Sequence, residues 1–258
     1  MASKRSKKRR SSREDYPLRE QLKIEEGVFD KRTMMYMKKI FTHNTVSKLE
    51  FIIAKGKEAD VYIASHGSAV PDPFVAVKIF RVETSSFGKR IDYIHGDPRF
   101  GKIKSGISGM VNEWCKKEYG NLKIAEVARV HAPRPYLFSG NVLAIEFIGD
   151  EEGKPSQTLR AAGAEKPEET LDTIIEDMKR LYSRELVHGD MSEYNILMKD
   201  GTPYIIDFGQ AVVLGHPKAD DFLRRDIKTV LTYFVKNYGI ERDEAETYTY
   251  ITSGVEIN

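Results

Sequence analysis

The pattern that most constrains this chain of 258 residues runs from His188 to Asp207. His188 and Asp190 lead into Asn195, and two short apolar runs separated by a polar turn at residues 199–202 then end at Asp207-Phe-Gly. The two runs predict a β-hairpin, whose ends lie close together. We therefore expect Asn195 and Asp207 to face the same point in space from the two ends of this hairpin.

Three oxygen-bearing side chains in this order are typical of phosphoryl transfer from a nucleotide. The reaction needs metal ions that neutralise the phosphates and an acceptor held in line, and Mg²⁺ prefers oxygen ligands. We interpret Asp190 as a catalytic base, and Asn195 and Asp207 as metal ligands. Taken singly, such residues are more often turn or capping residues, so the joint spacing carries the interpretation. His188 is expected to be a buried residue that hydrogen-bonds the loop backbone, because this chemistry needs no imidazole.

A lysine in the middle of an apolar strand predicts the nucleotide half of the site. Lys78 lies within the run at residues 74–80, where an unpaired cation is costly. Further along, residues 108–122 have helical periodicity, and Glu118 falls on their apolar face. We predict that Lys78 and Glu118 form an ion pair. The alternatives are a lysine that reaches solvent from an edge strand and a glutamate at the rim of its helix.

Hairpins and helices account for most of the remaining pattern. Residues 51–65 predict a hairpin whose polar turn contains Gly56 and Lys57, although one glycine is a weak match to the glycine-rich loops that cover phosphates. A second hairpin is predicted around the Ser-Gly-Asn turn at residues 139–141. Helices are predicted over residues 29–43 and 167–182, and along an apolar face between Leu223 and Phe234.

Together, these segments resemble the Rio-type atypical serine/threonine protein kinases, in the type-one branch and of the short archaeal kind. The resemblance covers residues 53–234. It is carried by Gly-Lys-Glu-Ala-Asp-Val-Tyr at 56–62, Lys-Glu-Tyr-Gly-Asn-Leu at 117–122, His-Gly-Asp-Met-Ser-Glu-Tyr-Asn at 188–195, Ile-Asp-Phe-Gly-Gln-Ala at 206–211, and His-Pro at 216–217 with Phe-Leu-Arg-Arg-Asp at 222–226. It implies an α+β, two-lobed protein-kinase-like fold. The N-lobe would be an antiparallel sheet plus a helix, and the C-lobe mostly helical, trimmed of the peptide-binding subdomains.

The resemblance also implies roles for the candidate residues. Asp190 would be the proton acceptor, and Asp207 would join Asn195 as a metal ligand and act in catalysis. Lys78 and Glu118 would position the phosphates, and the carbonyl of Glu146 and the amide of Ile148 would contact adenine. The implied cofactor site therefore consists of Lys78, Glu118, Glu146, Ile148, Gly56 and Lys57.

The implied activity is ATP-dependent, with Mg²⁺ or Mn²⁺, and includes serine autophosphorylation. Members of this family are linked to maturation of the small ribosomal subunit. They are also thought to act largely as ATPase switches through an aspartyl-phosphate, which would form here on Asp207. A carboxylate beside a metal is able to act as such a nucleophile.

Two departures from ordinary protein kinases bear on regulation and substrate binding. Gly189 stands where their catalytic loop has an arginine, so no arginine side chain is available there to receive an activation-loop phosphate. After Gly209, only residues 210–217 precede the final helices, and they contain no Ala-Pro-Glu. We therefore expect the docking surface for a protein substrate to be missing or built differently.

Basic charge is concentrated at the N terminus. Residues 1–13 contain seven Lys or Arg and no acid, whereas the rest has thirty-four bases and thirty-nine acids. Such a run is either a solvated disordered arm or a site that binds phosphate-rich RNA through counterion release. The resemblance favours the pre-small-subunit ribosomal particle and its rRNA as partners, with protein serines, including those of this chain, as substrates.

We expect a basic disordered tail at residues 1–15, a helical extension at 16–48, the N-lobe at 49–148 with a flexible loop at 83–107, and the C-lobe at 149–258. Candidate autophosphorylation sites are Ser85, Ser86, Ser105 and Ser108. The N terminus lacks the apolar segment expected of a signal peptide, and no apolar run approaches the length of a membrane span. A single cysteine, Cys115, fits a reducing compartment. We therefore expect a cytoplasmic protein without a membrane partner.

Two rival functions remain open at the level of sequence. A small-molecule kinase of the aminoglycoside-phosphotransferase type shares His-Gly-Asp, but only about fifty residues follow Asp207 here, which leaves little chain for an acceptor-binding lobe. A nucleotide-dependent assembly factor, whose chemistry times its release from pre-ribosomes, needs the same metal and phosphate ligands as a protein kinase. The motifs do not separate it from one.

Overall fold

A five-stranded antiparallel sheet forms the first lobe in the computed structural model, which describes residues 29–82, 93, 96–99 and 106–253. The strands are β1 (Val46–Lys55), β2 (Ala59–His66), β3 (Phe74–Phe80), β4 (Pro135–Ser139) and β5 (Val142–Glu146). Their order across the sheet is β1-β2-β3-β5-β4. Both predicted hairpins are present, and β1 begins three residues before the predicted lobe boundary at residue 49. The predicted tail at 1–15 and most of the loop at 83–107 lie outside the described residues.

Helix α1 (Lys31–Thr42) covers one face of this sheet. Its first turn is capped by Asp30, whose carboxylate accepts hydrogen bonds from the backbone N–H groups of Arg32 at 2.8 Å and Thr33 at 3.1 Å. Met37 and Phe41 are buried on the sheet, as their helical spacing predicts. This helix is the described part of the extension predicted at residues 16–48.

Helix α2 (Ile107–Val127) joins the two lobes. It is longer than the predicted helix at 108–122, and it ends at Ala128 just before Arg129, which adopts a positive φ. Trp114, Cys115 and Leu122 are buried in a cluster that continues into the second lobe. The carboxylate of Glu118 and the amine of Lys117, which are also buried on α2, are therefore held at the junction between the lobes.

The second lobe is mostly helical, as predicted. Its helices are α3 (Leu159–Ala162), α4 (Pro167–Tyr182), α5 (Ala219–Tyr238) and α6 (Glu244–Thr252). Helix α4 begins with proline, a residue that is preorganised for the first helical position. Acids in its first turn and bases in its last turn complement the helix dipole. The apolar face of α4 is buried and consists of Leu171, Ile174, Ile175, Met178 and Leu181.

Short strands of the second lobe carry the loops of the site. β6 (Gln157–Thr158), β8 (Ile196–Lys199) and β9 (Thr202–Ile205) form one sheet, and β7 (Leu186–Val187) pairs with β10 (Val212–Val213). The β8–β9 hairpin turns at Asp200 and Gly201, both at positive φ. The Ile206 N–H donates to the Asn195 carbonyl at 2.9 Å, so the predicted hairpin does bring its two ends together.

Replacing Asn141 with alanine should destabilise the first lobe by about 1–3 kcal/mol. The substitution removes the hydrogen bonds of a buried side-chain amide, and no neighbouring side chain takes over those bonds. Asn141 Nδ2 donates to Thr33 Oγ1 at 2.9 Å and to the Phe80 carbonyl at 2.7 Å, which ties α1 to the sheet. The matched control is Asn237→Ala on the exposed side of α5, where Nδ2 donates only within its own helix. Urea denaturation would compare the two variants, and equal stability loss would contradict the prediction.

Candidate functional site

A cleft of about 520 Å³ between the two lobes collects the predicted nucleotide residues. It is walled above by the β1–β2 hairpin and β3, and below by the ends of the β8–β9 hairpin. Among the residues that line it are Gly56, Lys57, Lys78, Glu118, Glu146, Ile148, Asn195 and Asp207. Thus every predicted cofactor and metal residue lines one cleft, although the sequence interval between them reaches 151 positions.

Lys78 is bound by two carboxylates at the back of this cleft. Its Nζ lies 2.8 and 2.9 Å from the two oxygens of Glu118 and 3.0 Å from Oδ1 of Asp207. Because β3 is flanked by β2 and β5, Lys78 is in the middle of the sheet, which excludes the alternative of an edge-strand lysine. The predicted contact between Lys78 and Glu118 is present. We refer to Lys78, Glu118 and Asp207 as the ion triad.

Burial and charge act in opposite directions within the ion triad. Burial alone would lower the pKa of Lys78, but Asp207 and Glu118 outweigh it and raise that pKa above its ordinary value. Burial raises the pKa of Glu118 to about 7, against the attraction of Lys78. The side chain of Glu118 is 2% exposed, so its charge depends on Lys78 as a partner.

The metal loop, residues 207–211, starts at an unusual backbone angle. Asp207 has φ 63° and ψ 66°, a left-handed conformation that aspartate tolerates better than most residues. A short 3-10 turn, Phe208–Gln210, follows. Gly209 lies against Trp114, since a Cβ at this position would stand 2.8 Å from Trp114 Nε1. The loop therefore requires glycine here for a close approach.

The second predicted metal ligand, Asn195, is oriented by Asp190. Asn195 Nδ2 donates to the carbonyl of Asp190 at 2.8 Å and to its Oδ2 at 3.2 Å. With its nitrogen engaged, the amide leaves Oδ1 as the atom for a cation, and oxygen is what Mg²⁺ requires. The described residues contain no cluster of three His, Cys, Asp or Glu able to hold a metal. Asn195 Oδ1 and the Asp207 carboxylate are themselves oxygen donors of the kind that Mg²⁺ takes together with substrate phosphates and water.

Asp190 stands beside this pair, although it does not line the cleft itself. Its Oδ2 also accepts a hydrogen bond from Gln210 Nε2 at 2.9 Å. Burial and the nearby charge of Asp207 raise the pKa of Asp190, while Arg225 and the bond from Asn195 lower it. No role is predicted for Gln210, because its only signal in the sequence is its place after Asp207-Phe-Gly.

Asp226, from α5, fixes the loop that carries Asp190. Its two carboxylate oxygens accept the backbone N–H groups of Gly189 at 2.7 Å and Met191 at 3.0 Å. Gly189 has φ 74°, and its carbonyl accepts a hydrogen bond from the guanidinium of Arg225. Burial raises the pKa of Asp226 to about 7, against the two N–H donors. No role is predicted for Asp226 from the sequence, because it lies 37 positions beyond Gly189 and 35 beyond Met191.

Two buried side chains of α2 hold the metal loop from the other side. Lys117 Nζ donates to the carbonyl of Gly209 at 2.9 Å and to that of Ala211. Asn121 Nδ2 donates to the carbonyls of Phe208 at 2.8 Å and Ala211 at 2.9 Å. Burial lowers the pKa of Lys117 to about 7. Neither role was predicted, since helical periodicity does not reveal a lysine buried on backbone carbonyls.

His188 has the structural position expected for a scaffold residue. It is buried, with Nε2 3.1 Å from the Ile206 carbonyl and Nδ1 3.3 Å from the Asp190 N–H. These partners fix the neutral tautomer that carries its proton on Nε2, because Nδ1 must accept. Burial lowers the pKa of His188 to about 4.

The described part of the predicted flexible loop packs against the second lobe. Tyr93 stacks on Phe222 of α5, with ring centroids 5.1 Å apart, and Asp97 is buried with Arg99 as its ion-pair partner. Among the candidate phosphorylation sites, Ser108 is half-buried in the first turn of α2. Three others, Ser85, Ser86 and Ser105, lie outside the described residues.

Comparison with known proteins identifies the family. A model of the RIO domain matches residues 60–247. The RIO-type serine/threonine-protein kinase Rio1 of Haloferax volcanii is 37% identical over 233 residues, which span 90% of this chain and 79% of that protein. The Rio1 protein of Methanocaldococcus jannaschii is 38% identical over 240 residues, or 93% and 80% of the two chains. Both are archaeal type-one proteins, in agreement with the predicted branch.

A solved structure supports the fold. The Rio2 kinase of Chaetomium thermophilum, in an ADP/Mg²⁺-phosphoaspartate complex, aligns with a TM-score of 0.64 at 20% identity, over 86% of this chain and 67% of that one. The two-lobed, kinase-like fold predicted from the sequence is thereby confirmed. Throughout the described part of the chain, every helix is too short or too polar to traverse a lipid bilayer.

Replacing His188 with glutamine should make stability less sensitive to acid. The folded pKa of about 4 lies below the value of 6.5 for a free histidine, so the unfolded state binds more protons between them. The wild type therefore loses stability as the pH falls through this window, by about 3 kcal/mol in full. Glutamine keeps an N–H for Ile206 and does not titrate. Denaturation at about pH 7 and about pH 4 would measure the difference, and parallel losses in both proteins would contradict it.

Proposed function

This chain belongs to the RIO domain family, and we propose that it is an ATP-dependent serine/threonine protein kinase that also phosphorylates itself. The observation that carries the proposal is the ion triad in the cleft, with Lys78 bound to Glu118 and Asp207. A buried lysine shared by a helix carboxylate and a loop carboxylate is what phosphoryl transfer uses to hold the phosphates of ATP beside a metal ion. The names of the archaeal relatives agree with this activity.

ATP would lie in the cleft with Mg²⁺ or Mn²⁺ on Asn195 Oδ1 and Asp207. The ion would neutralise charge on the phosphates during transfer. Lys78 would give up part of its contact with Asp207 in order to bind phosphate oxygens, while Glu118 would keep the lysine side chain oriented. Gly56 and Lys57, in the β1–β2 turn, would cover the phosphates from above.

The backbone at residues 146–148 would contact the adenine. The side chain of Glu146 is turned away, because its Oε2 accepts hydrogen bonds from Arg134 Nε and from the Arg134 backbone N–H, each at 3.1 Å. Glu146, Phe147 and Ile148 all line the cleft, and with the Glu146 carboxylate engaged by Arg134 the main chain of this segment is left to contact a base. Backbone recognition fits a hinge that reads the hydrogen-bonding edge of a base.

Asp190 would accept the proton of the attacking hydroxyl. Its Oδ2 receives hydrogen bonds from Asn195 and Gln210, which leaves Oδ1 for the acceptor group. Arg225 and the bond from Asn195 favour the charged form, and they counteract the increase in pKa that burial and the charge of Asp207 cause. Asp190 would thus act as the base, held in line with the phosphate.

A second function, an ATPase switch with an aspartyl-phosphate on Asp207, is favoured by the exposure of that carboxylate. The side chain of Asp207 is 42% exposed, although Lys78 holds one oxygen at 3.0 Å. Its carboxylate is therefore accessible from the side of the cleft and would act as the nucleophile that attacks a phosphoryl group there. The Rio2 structure named above contains a phosphoaspartate. A small-molecule kinase is less well supported, because α5 and α6 are the described helices that follow the metal loop.

We further propose that the partner is the pre-small-subunit ribosomal particle, contacted through the basic residues 1–13. The seven Lys and Arg side chains among these thirteen residues would contact the phosphates of the rRNA in such a particle. Buried Cys115 is compatible with the reducing cytoplasm in which this assembly takes place. Phosphorylation of protein serines, including those of this chain, would accompany or follow the contact.

Asp207→Asn and Asp190→Asn should each reduce transfer of the γ-phosphate by at least about a thousandfold, while folding is preserved. Loss of a charged metal ligand or of the base removes several kcal/mol of transition-state stabilisation. Asparagine tolerates the positive φ of Asp207, so backbone strain does not confuse the result. Radiolabel from γ-labelled ATP on the protein and in released phosphate would be measured together.

Asp200→Asn is the matched control for these variants. Asp200 also has a positive φ, of 50°, and lies exposed in the turn at the far end of the same hairpin. Its activity should equal that of the wild type. Near-normal labelling by Asp207→Asn, or an equal loss in Asp200→Asn, would refute the assignment of the metal site.

Deleting residues 1–13 should flatten the salt dependence of RNA binding without changing autophosphorylation. Each phosphate contact that is lost lowers the slope of log K against log salt by about 0.7–0.9, so up to seven contacts change it by several units. Binding of a small-subunit rRNA fragment would be titrated at several salt concentrations for both chains. An unchanged slope would mean that the tail is a solvated arm and not an RNA contact.

A further inference from the structure

The exposed face of helix α1 carries positive charges that the chemistry of the cleft does not use. Lys31, Arg32, Lys38 and Lys39 are all exposed, and α1 contains neither Asp nor Glu. We propose that these four side chains, the α1 cationic face, bind the phosphate backbone of RNA. The inference rests on the proposed ribosomal partner, and it extends the contact from residues 1–13 to the folded first lobe.

The helical positions of the four cations place them on one side of α1. At about 100° per residue they fall within an arc of about 120°, and residues 31–32 lie about 10 Å along the helix axis from residues 38–39. Met35 lies in the same arc and is 60% exposed. Within this arc of the described helix there is no aromatic side chain on which a base could stack. The face therefore suits contacts with phosphates and not the recognition of bases.

The α1 cationic face differs from the other basic helices of the chain in having no acids that neutralise it. Helices α2 and α5 pair exposed bases with acids about one turn away, as in Lys123–Glu126 and Arg224–Asp220. For the four cations of α1, no carboxylate of the described residues lies within ion-pair distance. Their charges are therefore available to a partner.

The arrangement of charge on α1 works against the helix itself. Lys31 and Arg32 occupy the first turn, where the helix dipole favours acids. Four cations on one side of a helix also repel one another. A phosphate backbone would remove both disadvantages, because it neutralises the side chains and releases its own counterions. Charges that disfavour the free helix in this way indicate a binding role.

The opposite side of α1 distinguishes RNA from a membrane surface as the partner. A basic helix that binds a bilayer inserts its apolar side among the lipids. Here that side packs on the sheet, with Met37, Ile40 and Phe41 each at most 6% exposed. The α1 cationic face therefore offers charge without an apolar side that could enter a bilayer, which suits a nucleic acid.

The α1 cationic face is also remote from the nucleotide. Along β3, Val75, Val77 and Ile79 belong to the apolar cluster that α1 covers, whereas Ala76 and Lys78 line the cleft. This alternation follows from the pleat of the strand, which sends successive side chains to opposite faces of the sheet. RNA bound to α1 would thus leave the cleft open to ATP.

The test measures binding of a small-subunit rRNA fragment by the full chain at several salt concentrations. Lys38→Gln/Lys39→Gln removes two charges at exposed positions where glutamine maintains the helix. Each phosphate contact that is lost should reduce the slope of log K against log salt by about 0.7–0.9, and affinity at about 0.1 M salt should fall on the order of tenfold. Autophosphorylation should equal that of the wild type. Should this variant fail to unfold cooperatively, Lys31→Gln/Arg32→Gln serves in its place, with the same expected result.

Lys228→Gln/Lys236→Gln on α5 is the matched control, because it changes the net charge equally. Both lysines are exposed, and Lys236 lies in the last turn of its helix as Lys39 does in α1. The salt slope of this control should equal that of the wild type. A slope that falls equally in both variants, or in neither, would overturn the inference. Weaker binding of the α1 variant to vesicles of phosphatidylcholine and phosphatidylserine, with its RNA affinity unchanged, would overturn it in favour of a membrane.

The same measurements separate this inference from the function proposed above. A wild type that does not bind the rRNA fragment would overturn the inference together with the proposed partner, whereas autophosphorylation tests the kinase activity by itself. If deletion of residues 1–13 leaves the slope unchanged and the α1 variant reduces it, the tail contact is refuted and the α1 cationic face is supported.

Discussion

The ion triad is the interaction on which the rest of the structure depends. Lys78 comes from β3, Glu118 from α2 and Asp207 from the metal loop, so the triad joins the sheet, the connecting helix and the second lobe. Removal of either partner of the buried Lys78–Glu118 pair leaves an uncompensated charge, at a cost of about 3–5 kcal/mol. The lobes therefore approach each other in the arrangement that satisfies all three charges, and that arrangement encloses the cleft.

A second set of buried polar contacts fixes the two loops that meet below the triad. The loops are irregular, so their backbone groups have no sheet partners, and an unpaired buried group is costly. Lys117 and Asn121 satisfy carbonyls of the metal loop, and Asp226 satisfies N–H groups of the loop that carries Asp190. Side chains from two helices thus replace the hydrogen bonds of regular structure. The same contacts determine where Asp190 and Gln210 point.

Features that depend on neighbouring residues could be predicted from the sequence, and those that depend on distant partners could not. The β8–β9 hairpin and α4 follow from local periodicity, and a lone lysine in an apolar strand required a carboxylate, which led to Glu118. Lys117 is beside Glu118 in the sequence, yet no local rule says that backbone carbonyls will surround it. Asp226 gives no signal either, because its partners become visible only when α5 packs under the loop.

The contact between Asp226 and the loop at Gly189 explains how the site dispenses with an activating phosphate. In ordinary protein kinases, an arginine in this loop and a phosphate on the activation segment hold the loop in its active form. Here the loop has glycine at that position, and a buried carboxylate from α5 accepts the N–H groups of Gly189 and Met191, with Arg225 on the Gly189 carbonyl. Asp190 is thus preorganised in the absence of modification.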